Sequence, residues 1–275
     1  MLGYDAIIFD VDGVLINTSR SFTAAAVDAV QVATGSTRFA KNEVQSLKSI
    51  RGFNNDWHVA IAGAVWIRFT DDMPFDEFAG LVDQANGGLG GLRHVAGAEL
   101  VSDLEEQLTR LAQEAYGGTT ACYRLYGFEP STIRQLGRWR EEVPLLPPER
   151  TSTISSIAGI VTGRNAREME LAFQLLRWRL PAGQVACSTI PALDKPNPAQ
   201  LLSILDHLGS RKAVYAGDSR DDLDLVMNAS RQGAEVDFCY IGPATAPWPR
   251  VANTFPNVTE MLNSIEVQNE CSKTD

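Results

Sequence analysis

Apolar positions along the chain fall into two regimes. Ile7, Ile8 and Phe9 follow one another without a polar break, the pattern of a parallel strand covered by helices on both faces. From Phe22 the spacing changes to three and four: Phe22, Ala26, Ala29, Val30 and Ala33 share one helical face, with Gly35 as a C-terminal cap. Asn54, Asn55 or Asp56 caps a second helix through Trp57, Ile61, Val65 and Phe69. Pro74 opens a third, carrying Phe75, Phe78, Leu81 and Val82, which Gly87-Gly88-Leu89-Gly90-Gly91 terminates. Leu100, Leu104, Leu108, Leu111 and Ala115 form the clearest stripe, ended by Gly117-Gly118. One more helix is predicted around Ile133, Leu136 and Trp139, before Pro144, Pro147 and Pro148 break the pattern. A run of roughly 130 residues is too long for a connection. It reads as an inserted all-helical domain, 18–145.

From Ser155 short apolar runs alternate with amphipathic segments. Strands are predicted at 157–161, 184–187, 213–216 and 236–241, and helices at 167–178, 197–208 and 222–230. Asn197 caps the middle helix and Pro198 fits its first turn. The predicted fold class is α/β: a doubly wound parallel sheet built from 1–17 and 146–275, interrupted by the helical domain. The polar stretch from Val267 to Asp275 reads as a frayed tail.

Composition narrows the function classes. Hydrophobic content of 44% and charged content of 21% over 275 residues describe a globular chain with a well-buried core. With 24 basic against 34 acidic residues the net charge is -10, so general attraction to nucleic acid or to an anionic membrane is excluded. Cys122, Cys187, Cys239 and Cys271 are too widely spaced for a metal motif and read as free thiols in a reducing compartment. No apolar run approaches membrane-spanning length and no signal-peptide pattern opens the chain, so a cytoplasmic location is expected.

Chemistry gathers where strands end, the usual ligand site of open α/β sheets. Asp10 and Asp12, two apart on an extended backbone, share a face, and Gly13 allows a sharp turn. Two carboxylates that close need a cation, or one must hold a proton. Thr162 and the amide of Gly163 follow another strand and suit phosphate oxygens at a helix start. In Asp194-Lys195-Pro196-Asn197-Pro198 the lysine can offset repulsion between carboxylates and a phosphate dianion, held in a segment that proline stiffens. In Ala216-Gly217-Asp218-Ser219-Arg220-Asp221-Asp222 a strand again ends in glycine and carboxylates, the hard oxygen ligands magnesium favours.

Asp10-Val11-Asp12-Gly13-Val14-Leu15 resembles the first motif of the haloacid dehalogenase superfamily, and the three later stretches resemble its second, third and fourth motifs in order. The resemblance implies a Rossmann-like core with a helical first-type cap, as in phosphoglycolate phosphatase and β-phosphoglucomutase. It implies Asp10 as nucleophile, Asp12 as acid and base, Thr162 and Lys195 as phosphate-stabilising residues, and Gly163 as an amide donor. It assigns Mg2+ to Asp10, Asp218, Asp222 and a carbonyl near Asp12. Asp221 is out of register and reads as a charge favourable to the helix N-terminus. Arg51, Asn54 and Asn55 lie in a turn between cap helices where similar proteins carry a substrate-specificity loop.

The expected activity is Mg2+-dependent hydrolysis of a small phosphorylated metabolite, a phosphomonoester that the sequence does not name. It is silent on oligomeric state as well. A dehalogenase would lack Asp12, a receiver domain would be half this length, and a non-catalytic binding protein would have lost a motif residue. A sugar phosphomutase is the closest rival. In β-phosphoglucomutase-like chains a histidine guards the phosphoaspartate, and the matching position here is Phe22. His58, His94 and His207 show no metal-ligand spacing and are read as structural or solvated.

Overall fold

The computed structural model describes residues 3–69, 72–242, 248, 251 and 253–271, with side chains as far as 265. The chain divides into two compact units, 1–17 with 143–275, and 18–142.

The first unit begins with β1 (Ala6–Phe9), whose residues are all buried, and with a two-residue strand β2 (Ile16–Asn17). The second unit holds α1 (Phe22–Thr34), α2 (Lys41–Lys48), α3 (Asp56–Phe69), α4 (Phe75–Gln84), α5 (Gly88–Ala96) and α6 (Ala98–Tyr126). The chain then returns through β3 (Val143–Pro144), α7 (Pro148–Ile154), β4 (Ala158–Val161), α8 (Ala166–Leu176), β5 (Val185–Ala186) and α9 (Ala199–Leu208). It ends with β6 (Ala213–Gly217), α10 (Arg220–Arg231), β7 (Val236–Ile241), β8 (Asn253–Phe255) and α11 (Val258–Cys271).

Among the described residues six strands form one parallel sheet in the order β5-β4-β1-β6-β7-β8. Successive side chains of β1 enter opposite layers. Ile7 and Phe9 pack with Met169, Phe173 and Leu176 of α8 and with Val258, Met261 and Leu262 of α11. Ala6 and Ile8 pack with Leu201, Ile204 and Leu205 of α9 and Leu225, Val226 and Ala229 of α10. This two-sided burial is why the strand reads as an unbroken apolar run. The chain winds outward from β1 through β4 and β5, then crosses to β6 on the other side, so the strand order reverses beside β1. That switch point opens a crevice at the carboxyl ends of the strands.

Several expected boundaries move. The chain re-enters the first unit at Val143 rather than 146, because Val143 and Pro144 pair antiparallel with Asn17 and Ile16. Helix α4 ends at Gln84 with Ala85 as its C-cap, before the glycine cluster, and Gly87 and Gly88 instead open α5, so the cluster starts a helix rather than stopping one. The helix expected around Ile133 is absent; a short 3-10 turn at Arg138–Glu141 follows a loop. Helix α11 runs to Cys271, so no frayed tail starts at Val267, and residues 272–275 lie outside the described ones. Cys122, Cys187 and Cys239 are free thiols, while the Cys271 side chain is outside the described residues. No helix among the described residues is long and apolar enough to cross a membrane.

The loop at 131–133 is held by a carboxylate instead of a helix ladder. Fully buried Glu114 accepts hydrogen bonds from the backbone N–H groups of Ser131, Thr132 and Ile133 at 3.1, 2.8 and 2.8 Å, and from the Ser131 hydroxyl at 3.1 Å. Burial alone would raise its pKa, but these donors outweigh burial and hold it below the ordinary glutamate range. Glu114→Ala would leave the three amides without their acceptor and is expected to cost about 3 kcal/mol in urea unfolding. Because the folded pKa is depressed, this contribution is present above the ordinary glutamate pKa and is lost as pH falls through the folded value. An unchanged unfolding midpoint at neutral pH would refute it.

Candidate active site at the strand ends

Asp10 and Asp12 leave the end of β1, and Gly13 turns the chain with a φ of 77°. A Cβ on Gly13 would stand 1.9 Å from Asp218 Oδ2, so glycine serves both the backbone angle and the approach of the facing carboxylate. At the end of β6, a Cβ on Gly217 would stand 2.5 Å from Asp222 Cβ.

Carboxylate oxygens of Asp10, Asp218 and Asp222 lie within 4.8 Å of one another, with Asp10 and Asp222 buried. Lys195 enters this cluster from the segment before α9, its Nζ 2.8 Å from Asp10 Oδ1 and 2.7 Å from Asp222 Oδ1. The Lys195–Pro196 peptide bond is cis, and Asn228 Nδ2 donates to the Pro196 carbonyl at 2.9 Å. Asp222 is held at both oxygens. Its Oδ1 also accepts the Tyr215 hydroxyl at 2.8 Å, while its Oδ2 accepts the Ser219 hydroxyl at 2.7 Å and the Ser219 N–H at 3.1 Å. Ser219 in turn caps α10, accepting the Asp222 N–H at 3.2 Å.

The Asp10 carboxyl is pushed up to about 7, chiefly by burial, with Lys195 opposing the rise and the charges of Asp222 and Asp12 adding to it. Burial acts on Asp222 in the same sense, yet Lys195, Ser219 and Tyr215 keep it below the ordinary carboxylate value. For Lys195 burial disfavours the charge, but Asp10 and Asp222 outweigh it and hold the pKa well above an ordinary lysine. The ammonium is therefore permanent. Asp10 is the group left short of positive charge.

Asp12 engages Arg164, whose Nε and Nη2 lie 2.9 and 2.6 Å from Asp12 Oδ1. When all six are ionised, the four carboxylates of Asp10, Asp12, Asp218 and Asp222 outnumber the cations of Lys195 and Arg164 by two. A hard divalent cation fits both this charge and the oxygen-only donor set.

Thr162, 2% exposed, closes β4 and accepts the Arg164 N–H at its hydroxyl, 3.2 Å away; Gly163 beside it is exposed. Asp221 is buried in the first turn of α10. Arg51, Asn54 and Asn55 belong to the helical unit, where Arg51 is exposed and Asn54 half-buried. Asn55 Oδ1 accepts the Trp57 N–H at 2.8 Å, so Asn55 acts as the cap of α3. Phe22 is buried and stacks on Tyr116 with ring centroids 4.0 Å apart. His94 and His207 are exposed and His58 half-buried. Sequence reasoning missed Arg164 and Tyr215.

No protein-family model matches the sequence, and no curated protein does either. Solved structures match over nearly the whole chain. Phosphatase Tt82 from Thermococcus thioreducens is 22% identical with a TM-score of 0.59, over 94% of this chain and 98% of that one. A predicted phosphoglycolate phosphatase of Haemophilus somnus 129pt is 15% identical with a TM-score of 0.55, over 96% and 98%. A protein of Bacteroides fragilis described as a haloacid dehalogenase-like hydrolase is 14% identical with a TM-score of 0.53, over 94% and 99%. The fold is that of the haloacid dehalogenase superfamily. On this haloacid dehalogenase fold the carboxylates, Lys195 and Arg164 all follow strands of the sheet or lie beside their ends, where the switch point places a ligand.

Proposed function

We propose that the chain is a magnesium-dependent phosphatase acting on small phosphomonoesters through an aspartyl-phosphate on Asp10. The observation that carries this reading is the buried ammonium of Lys195 shared by Asp10 and Asp222, within a carboxylate cluster still short of positive charge. Such a site attracts a metal cation and, once the cation is bound, a phosphate dianion that the carboxylates alone would repel.

Asp10 attacks phosphorus while Asp12 gives its proton to the departing alkoxide; Asp12 then takes a proton from the water that hydrolyses the acyl phosphate. Thr162, the Gly163 amide and Lys195 stabilise the transferring phosphoryl group. Asp10 and Asp218 would hold Mg2+, with Asp222 and a backbone carbonyl near Asp12 completing the protein's share. When bound, that ion neutralises phosphoryl oxygens. Asp222 is already committed to Lys195, Tyr215 and Ser219, so its first duty is to hold the lysine. Arg51 and Asn54, in the turn before α3, are assigned to substrate choice.

The test is phosphate release from a panel of small phosphomonoesters with magnesium, including sugar 1-phosphates followed by product analysis. Free phosphate and free alcohol in equal amounts are expected, with no need for a bisphosphate activator. Phe22 can neither donate nor accept a proton, which favours release to water over retention for a mutase cycle. Isomerised sugar phosphate as the main product would overturn the reading.

A further inference from the structure

We propose that Arg164 is a positioning residue that fixes Asp12 by one carboxylate oxygen and leaves the other to carry the proton. The inference rests on the phosphatase reading above.

The register of the sheet brings the two side chains together. Strands β1 and β4 are parallel neighbours with Phe9 opposite Ile160, so Asp12 and Arg164 leave adjacent strands at the same edge, three and four residues further on. The Arg164 side chain is 1% exposed, and a guanidinium does not shed its proton in a protein. A charge so buried demands a partner. Both Nε and Nη2 converge on Asp12 Oδ1, at 2.9 and 2.6 Å, a grip from a rigid planar group that an ammonium cannot reproduce. The arginine is itself held by its backbone. Its N–H donates to Thr162 Oγ1 at 3.2 Å, and its carbonyl accepts the Ser188 N–H at 2.9 Å. One turn therefore carries both the phosphate-facing threonine and the anchor of Asp12.

Asp12 has to act twice without losing its place. In the first half-reaction a bond forms between an Asp10 oxygen and phosphorus, the ester P–O bond breaks, and the departing oxygen takes the proton of the Asp12 carboxyl. In the second, water oxygen bonds to phosphorus, its proton passes to the Asp12 carboxylate, and the bond from phosphorus to Asp10 breaks. With Oδ1 pinned by Arg164, Oδ2 gives and receives that proton. Asp12, 19% exposed, keeps contact with the incoming groups while its orientation is set from the buried side.

Arg164→Gln is expected to lower kcat about 10²-fold, the scale of a misplaced catalytic group, with KM within about twofold for every substrate. In an Asp12→Asn background the same substitution should lower kcat no further. A crystal structure of Arg164→Gln should show the Asp12 carboxylate in a new position. If the glutamine variant fails to fold, Arg164→Lys keeps the charge but loses the convergent donors, and the same kcat-selective loss is expected. The proposal is overturned if KM rises with kcat unchanged, which would make Arg164 an anion contact. It is overturned equally if the two substitutions multiply, or if Asp12 stays in place without the guanidinium. A native protein that releases no phosphate from any monoester would sink the phosphatase reading itself, whereas normal native turnover with any of the other results sinks Arg164 alone.

Discussion

Replacing Asp10 by asparagine is expected to abolish phosphate release, a loss on the order of 10⁶-fold, the scale seen when a nucleophile is removed from an enzyme that works by covalent catalysis. Asparagine fills the same space and still offers an oxygen to Lys195 and to the Val11 N–H, which lies 2.7 Å from Asp10 Oδ1 in the native site. The fold should therefore stand. Because burial already disfavours the ionised carboxylate, the variant should melt no lower than the native protein in EDTA. EDTA should likewise silence the native protein, since the cluster is left with excess negative charge where a phosphate dianion must enter. Turnover within tenfold of native in either the Asp10→Asn protein or the chelated one would refute the covalent, metal-dependent mechanism.

What the sequence made legible follows from how far apart the interacting groups lie along the chain. The strand Ala6–Phe9 declared itself because burial on both faces removes polar positions altogether, and α1 because its apolar spacing ends at Gly35, which adopts the left-handed cap. The helix predicted around Ile133 failed for a reason that spacing cannot carry. The backbone amides at 131–133 find an acceptor in Glu114, 17 to 19 residues earlier, and that long-range bond competes with the local helix ladder. The small strands β2 and β3 escaped notice because each has only two residues, and their pairing spans the whole helical unit.

The site divides along the same line. Carboxylates clustered within each motif could be found by reading along the chain. Tyr215 could not, because in a buried strand it resembles any other apolar residue until its hydroxyl is seen 2.8 Å from Asp222. Reading along the chain assigned no role to Arg164. Its position two residues after a strand-end threonine was a usable signal, since a buried cation at a strand end needs an anion from a neighbouring strand, but only the register of β1 against β4 names Asp12.

Lys195→Ala is expected to have the next largest effect, and it separates the stability role of this lysine from its chemical one. The native ammonium touches two buried carboxylates, so its removal takes a counter-charge from both. Breaking a buried ion pair from one side costs roughly 3–5 kcal/mol, and urea unfolding in EDTA should show a loss of that size. Asp222 would still have Tyr215 and Ser219, whereas Asp10 would lose its main counter-charge. Magnesium should therefore restore part of the stability by supplying charge beside Asp10, and should do so more in the variant than in the native protein. The rate should not recover with it. A fixed donor to the transferring phosphoryl group is worth about 10²–10³-fold, so kcat should stay depressed by that factor for every substrate at saturating magnesium. Equal stability of the variant and native proteins in EDTA would mean that Lys195 does not bind the cluster together. Full kcat in magnesium would mean that the metal alone supplies the positive charge.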